Sequence, residues 1–372
     1  MSAASDRTVA LEVRDLVARR GSGSEAFELR IDALRLHAGE TLVVMGPNGS
    51  GKTTLLYALA GLGRNADAAF VRRPTGPVTL VFQRPAAFSG SVTHNVSAAL
   101  LGADVSRRDR ERRVEAALAR FGIQGLADHD AHHLSGGELR RLALARALVL
   151  EPEVLLLDEP FDDLDGEGQR RLTLDLQRAV SETGVALAVV THDLRRGLMI
   201  ADQIAVLGRG RIAQSGAREE ILLHPQTPEV ARTVGMTNLA RGRVSLTSSG
   251  DLAVEVAGNL AFPIGPGSAE QGQTVRIGIR PEHLQIDVGR AGGVSIGSAD
   301  ITAIVDDGLV QIVTLTAADV ELTTHLLAGR GPARTLSPGD SVSLAARPEH
   351  VHVMSIEDVG LAQDLGAHAA TD

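Results

Sequence analysis

One loop constrains this chain more than anything else in it. Thr41-Leu42-Val43-Val44-Met45 is a short apolar run, the pattern of a buried parallel strand, and Thr53 to Ala60 has the pattern of a helix. Between them stands Gly46-Pro47-Asn48-Gly49-Ser50-Gly51-Lys52-Thr53. This fits G-x-x-x-x-G-K-[ST], and a strand before with a helix after is the context that confirms such a loop. Glycines let the loop fold so that successive backbone N–H groups face an anion. The helix that follows adds its positive end. Lys52 brings a compact charge to the β- and γ-phosphates, Thr53 a hydroxyl for Mg2+, and the phosphate contacts extend to Thr54.

Lys52 stands out in a second way. The chain has 37 basic residues, and Lys52 is its only lysine; the rest are arginines. An ammonium is compact and a guanidinium wide, so the exception falls where only the compact group fits. Against 46 acidic residues the net charge is −9. That argues against a general nucleic-acid binder, which needs a basic surface. There is no cysteine, which rules out disulfides and thiolate metal sites. Aromatic residues are only 2% of the chain, so the core must be built of Leu, Val, Ile and Ala. The first ten residues lack the apolar stretch of a secretory signal. No uncharged apolar run approaches the ~18 residues of a membrane span. A membrane role is therefore expected to be peripheral, through other chains.

A length of 372 residues suits two domains. Alternating strand-like and helix-like patterns over residues 1–235 predict an α/β nucleotide-binding domain. Val78 to Phe82, Val154 to Leu157 and Val185 to Val190 read as further buried strands, and Arg107 to Arg113 as the solvated face of a helix. The run Val154-Leu155-Leu156-Leu157-Asp158-Glu159 delivers two carboxylates to a strand's C-terminal edge, where α/β folds bind ligands. Asp158 is expected to hold Mg2+ through water and Glu159 to polarise the attacking water as general base. From about Met236 the texture changes to short β-type runs between Gly, Pro and Ser clusters, predicting a small all-β barrel over 236–355. Within it Arg280-Pro281-Glu282-His283 recurs as Arg347-Pro348-Glu349-His350, reading as two similar β-units. Residues 356–372, rich in Ala, Asp and Gly, are expected to be a disordered tail.

A third motif carries a resemblance. Leu134-Ser135-Gly136-Gly137-Glu138 precedes a helix bearing Arg140, Arg141 and Arg146, after the phosphate loop and before the Asp158-Glu159 pair. Three motifs in this order resemble the ATP-binding-cassette (ABC) ATPases, with the P-loop NTPase fold and a helical subdomain. The resemblance supplies Gln83 as the residue opening a flexible loop (84–96), close to Mg2+ or the attacking water. It supplies His192 as the switch histidine on the γ-phosphate and Phe161-Asp162-Asp163-Leu164-Asp165 as the loop after the general base. It implies that Ser135, Gly136 and Gly137 meet the γ-phosphate bound by a second copy, so that two ATP molecules are buried in a homodimer. The family often has an adenine-stacking aromatic near the end of the first strand. Here that stretch, Leu16 to Gly21, has none, and Arg20 is the candidate to stack on the base.

A cassette followed by a β-rich module with Arg-Pro-Glu-His resembles the ATPases of bacterial importers. The resemblance implies two permease subunits, an extracytoplasmic solute-binding protein and a place on the cytoplasmic face of the membrane. Relatives of that kind handle sugars, polyamines, iron, sulfate, and molybdate or tungstate. Phe82-Gln83-Arg84-Pro85 and Val234 to Leu239 resemble the tungstate type, which leans the expectation toward an oxyanion. The competing class is a non-transport ABC ATPase acting on DNA or ribosomes. It is disfavoured by the acidic charge, the single phosphate loop and the lack of cysteine.

Overall fold

The computed structural model describes residues 8–20, 27–62, 66–72, 74–257, 259–286, 293–328 and 335–354. The chain packs as two compact units, Met1–Ile221 and Leu222–Asp372. In the first, β3 (Thr41–Met45), β6 (Val154–Asp158) and β7 (Ala186–Val190) are buried at every residue. A parallel strand covered on both faces has no solvent side, which is why these strands read as unbroken apolar runs. They lie in a six-stranded sheet with β5 (Val78–Val81), β8 (Gln203–Gly208) and β9 (Arg211–Ala217), in the order β5-β6-β7-β3-β8-β9. Only β9 runs antiparallel to its neighbour. A second sheet of order β2-β1-β4 joins β1 (Val9–Arg20) to β2 (Phe27–His37) and β4 (Ala66–Arg72). Leu11, Leu29 and Ile31 from this sheet pack with Leu56 of α1 (Lys52–Leu59) and with Val44, Leu156 and Ala188 of the main sheet.

Between β5 and β6 the chain builds a helical subdomain from α2 (Val92–Ala98), α3 (Arg107–Arg120) and α4 (Gly136–Leu148). The start of α3 exposes Arg107, Arg108 and Arg112 but half-buries Arg110 and Arg113, so the expected solvated face holds for part of it; the fully buried residues are Val114, Ala117 and Leu118. The loop after β5 is shorter than the expected 84–96. Ser91 accepts from the His94 amide at 3.1 Å and starts α2 at Val92. Two further helices, α5 (Gly166–Thr183) and α6 (Leu194–Ile200), follow β6 and β7. The sheet order makes neighbours of the carboxyl ends of β5, β6, β7 and β3, which are far apart in sequence, and that edge is where parallel α/β sheets bind ligands.

The second unit is all-β apart from its first helices. One antiparallel five-stranded sheet contains Asn238–Leu246, Leu252–Val256, Leu260–Pro263, Thr274–Ile279 and His352–Met354. The other contains Gln285–Ile286, Val294–Asp306, Val310–Ala317, Val320–Leu327 and Ser341–Ala346. They share a core that includes Val244, Phe262, Ile277, Ile296, Leu315 and Leu344. The division falls at 221/222, ahead of the expected 235/236, because the intervening segment packs on the β-strands. Arg280 donates to the carbonyls of Val234 (2.8 Å) and Leu222 (2.9 Å). Met236 packs with Ala231 and Met354, and His352 Nε2 donates to the Pro225 carbonyl at 2.9 Å. The expected tail, 356–372, lies outside the described residues.

Both copies of the Arg-Pro-Glu-His repeat form the same structure, a 3-10 turn leaving a strand, at Pro281–His283 and Pro348–His350. The two turns meet. The rings of His283 and His350 stack with centroids 3.9 Å apart and planes 15° from parallel.

Candidate nucleotide site

The phosphate loop sits where β3 ends and α1 begins, and its glycines are there for stated reasons. A Cβ on Gly46 would collide with the Leu207 carbonyl. Gly51 has φ +103 and a Cβ there would lie 2.6 Å from the Phe27 ring. Lys52 is buried, and its ammonium donates to the loop's own carbonyls at Gly46 (2.9 Å) and Pro47 (3.1 Å). Burial lowers its pKa, and the charges of Glu159 and Asp158 work against that shift. Ser50 Oγ is buried without a hydrogen-bond partner. An orphaned hydroxyl and an ammonium hydrogen-bonded only to loop carbonyls fit a cradle whose natural occupant is a polyphosphate.

Thr53 Oγ1 donates to Asp158 Oδ1 at 3.2 Å, so two of the expected Mg2+ residues are already in contact. Burial raises the Asp158 carboxyl pKa, while the Thr53 hydrogen bond lowers it. Oxygen donors of this kind suit a hard divalent cation. Gln83, the third, is directed elsewhere: its amide donates to Asp162 Oδ2 at 2.9 Å. Glu159 has φ +46, the left-handed region that non-glycine residues avoid. Its Oε2 accepts from the His192 backbone N–H (3.1 Å) and lies 3.0 Å from His192 Nδ1. That hydrogen bond, then the charge of Glu159, raises the His192 pKa. Glu159, Asp162 and His192 thus converge closely enough to hold a metal ion among themselves.

A cavity of about 550 Å³ joins these parts, lined by Arg20, Asn48, Gly49, Lys52, Gln83 and His192, with Phe27 among its remaining walls. Phe27 is the functional candidate that sequence reasoning missed. It opens β2 and pairs in register with Arg20 at the end of β1, so an aromatic reaches the expected base-binding wall from the opposite strand. A hairpin reading of 9–37 would have found it.

Ser135, Gly136 and Gly137 do not line this cavity. Ser135 caps α4 in a reciprocal capping box with Glu138, and a Cβ at Gly136 would touch nothing within 4 Å. The turn is open to an incoming group. From the same helix Arg146 donates to the Ala86 carbonyl (2.6 Å) and covers the Phe88 ring at 4.4 Å, fastening the loop after Gln83.

A parallel sheet with a phosphate cradle, an Asp-Glu pair and a histidine on adjacent strand ends, joined to an all-β unit, defines an ABC-type ATPase with an appended β-module. The ABC transporter family matches residues 29–162 and the TOBE domain residues 277–354. The chain is 33% identical over 362 residues to the spermidine/putrescine import ATP-binding protein PotA of Rubrobacter xylanophilus, covering 94% of each protein. It is 29% identical over 341 residues to the molybdate/tungstate import ATP-binding protein WtpC of Pyrococcus horikoshii, covering 88% of this chain and 96% of that one. Among solved structures, the cbiO1 subunit of the Clostridium perfringens ABC transporter complex cbiONQ matches 62% of this chain and 96% of its own (29% identity, TM-score 0.52). The chain belongs to the ATP-binding subunits of importer-type ABC transporters: it binds ATP and couples its hydrolysis to solute import. Among the described residues no helix is long and apolar enough to cross a membrane.

Proposed function

We propose that the pocket at Lys52 is half of an active site, completed when a second copy presents its Ser135-Gly136-Gly137 turn to the same triphosphate. The observation that carries this reading is the open signature turn, a capped helix start that takes no part in lining its own subunit's cavity. Such an N-terminus is an anion site awaiting its anion. On binding, Lys52 exchanges its loop carbonyls for phosphate oxygens. Thr53 and Asp158 would hold Mg2+, which would supply charge neutralisation to the triphosphate. Glu159 takes the proton of the attacking water. For that its carboxylate must let go of His192, whose ring then turns to the γ-phosphate, and Gln83 must leave Asp162. In the described state each reactive side chain is held by a neighbour, which suits a subunit at rest. Phe27 and Arg20 flank the base, with the aromatic ring taking the larger share of stacking.

Closure on two ATP molecules and reopening after hydrolysis would drive two permease subunits, with this chain bound peripherally at the cytoplasmic face of the membrane. The loop 84–91, which carries exposed Phe88 and follows exposed Phe82, is the surface offered to them. A solute-binding protein delivers the cargo. The polyamine and molybdate/tungstate relatives bracket the cargo classes. The 234–239 string that favours an oxyanion is accounted for by packing, because Val234 and Met236 anchor the β-unit.

The test is Glu159→Gln at saturating Mg-ATP, with the permeases present. The expected result is a stable dimer holding two nucleotides, with hydrolysis reduced on the order of 10²-fold or more, as for loss of a general base. A monomer under those conditions overturns the proposal.

A further inference from the structure

The signature helix reaches the catalytic turn of its own subunit through one side chain. Arg140 lies on the second turn of α4, five residues past Ser135, or about 7.5 Å along the axis. It is only 4% exposed. Its Nη1 donates to the Glu159 carbonyl and its Nη2 to the Asp162 carbonyl, both at 3.3 Å. Burial lowers its pKa, opposed by the charges of Asp162 and Asp163. A buried cation spent on two backbone carbonyls is expensive to keep, so what it fastens is informative. It fastens a strained turn, since Glu159 (φ +46) and Asp163 (φ +59) are both non-glycine residues in the left-handed region. The side chains of its two carbonyl partners are those that hold His192 and Gln83.

We propose that Arg140 is a positioning residue that makes hydrolysis in one site depend on nucleotide in the other. This rests on the two-sided reading of the site. When the partner's γ-phosphate engages Ser135 to Gly137, α4 moves as a rod, and the Arg140 fork carries the movement to carbonyls 159 and 162. Glu159 and Gln83 then leave their resting partners. A compact ammonium lacks the fixed, separated donors with which the planar fork reaches carbonyls 159 and 162 at once, so charge alone is not enough.

The experiment compares wild type, Arg140→Lys and Arg140→Gln as full-length chains with their membrane subunits. ATP binding, the dependence of hydrolysis on ATP concentration, and thermal melting are read together. Both variants should bind ATP within about twofold of wild type, because Arg140 does not touch the pocket. Their kcat should fall about ten- to hundredfold, the scale of an ångström's misplacement of a reacting group. The Hill coefficient should drop toward one, and lysine should not rescue it. If the glutamine variant melts early, the lysine variant, which keeps charge and length, decides. Retained cooperativity with kcat within twofold of wild type in a folded variant would overturn the proposal. Wild type that neither dimerises nor hydrolyses cooperatively would instead remove the two-sided reading, and this proposal with it.

Discussion

The nucleotide edge of the first unit and the histidine pocket of the second are both built where strands release turns, yet they are held by opposite means. At the nucleotide edge, polar groups occupy one another: Lys52 on loop carbonyls, Thr53 on Asp158, His192 on Glu159, Gln83 on Asp162. The second pocket, about 440 Å³, is walled by His224, His283, His350 and His352 together with Met236 and Arg280. There burial favours the uncharged form. It lowers the pKa of His283, with the charge of His350 acting in the same sense. It lowers that of His352 too, against the hydrogen bond to Pro225. His350 Nδ1 is buried with no hydrogen-bond partner. An edge that must admit a highly charged ligand is prepared with charges whose partners can be exchanged. A pocket where burial disfavours charge on His283 and His352 is sensitive to protons instead.

The comparison breaks first at Lys52. On the proposed reading, Lys52→Ala removes the ammonium that would donate to the phosphates, and at about 1.5–3 kcal/mol per charge-assisted hydrogen bond, two such bonds put the expected loss of ATP affinity above about 10²-fold. Because Lys52 is the only lysine, an ε-amine reagent reports on the site alone. Mg-ATP should protect wild type from such labelling, and labelling indifferent to Mg-ATP would place the phosphates elsewhere. No comparable change at a histidine of the second pocket should alter ATP binding.

How much of this was legible in the sequence differs between the two regions for the same reason. The main-sheet strands and their terminal residues could be read because strands buried on both faces leave continuous apolar runs, and a phosphate cradle demands fixed glycines and a lysine. Phe27 was hidden because its partnership with Arg20 is made by antiparallel register across a turn, and no linear spacing encodes it. Arg140 was visible only as one of several arginines on a helix, where packing alone separates it from the less buried Arg141 beside it. The Arg-Pro-Glu-His repeat was visible as a string. That its histidines would stack follows from how the strands bring the two turns together, which a repeat cannot announce. The packing division at 221/222 differs from the expected 235/236 because residues 222–236 lack strand pattern but are anchored by Arg280 and His352 from far along the chain.

A middle-sized effect is expected at the base-binding wall. An aromatic face contributes about 0.5–1.5 kcal/mol beyond its buried area, so Phe27→Ala should weaken ATP binding about two- to tenfold or somewhat more. Arg20 lies on the same wall, and Arg20→Ala should cost less than Phe27→Ala. Affinities for ATP and GTP, measured for both variants, sharpen the assignment. If Arg20→Ala proves the more damaging, the guanidinium and not the ring carries the stacking.

The smallest effect is the one that most directly contrasts the two pockets, their response to pH. His283 faces His350 and Arg280, which oppose its protonation, and Glu282, which favours it. Its folded-state pKa lies below the ordinary imidazole value of about 6.5. Above that value both folded and unfolded chains leave it neutral, and its contribution to stability is whole. As pH falls below about 6.5 the unfolded chain takes up the proton first, so the contribution is lost as pH descends toward and through the folded value. His192 has the opposite sign. Its pKa is raised by Glu159, so its pairing is fully present below the unfolded value and is lost as pH rises through the folded one. With 59% of its side chain exposed, solvent screening keeps that term small. Melting of the full chain between pH 7.5 and 5.5 should therefore show an acid loss that His283→Phe, which keeps a ring in the stack without a titrating group, reduces by at most a few degrees. His192→Gln should change the slope in the other direction. If His283→Phe leaves the acid slope as it is in wild type, the stacked pair is not a proton-sensitive element and the contrast between the pockets rests on the nucleotide edge alone.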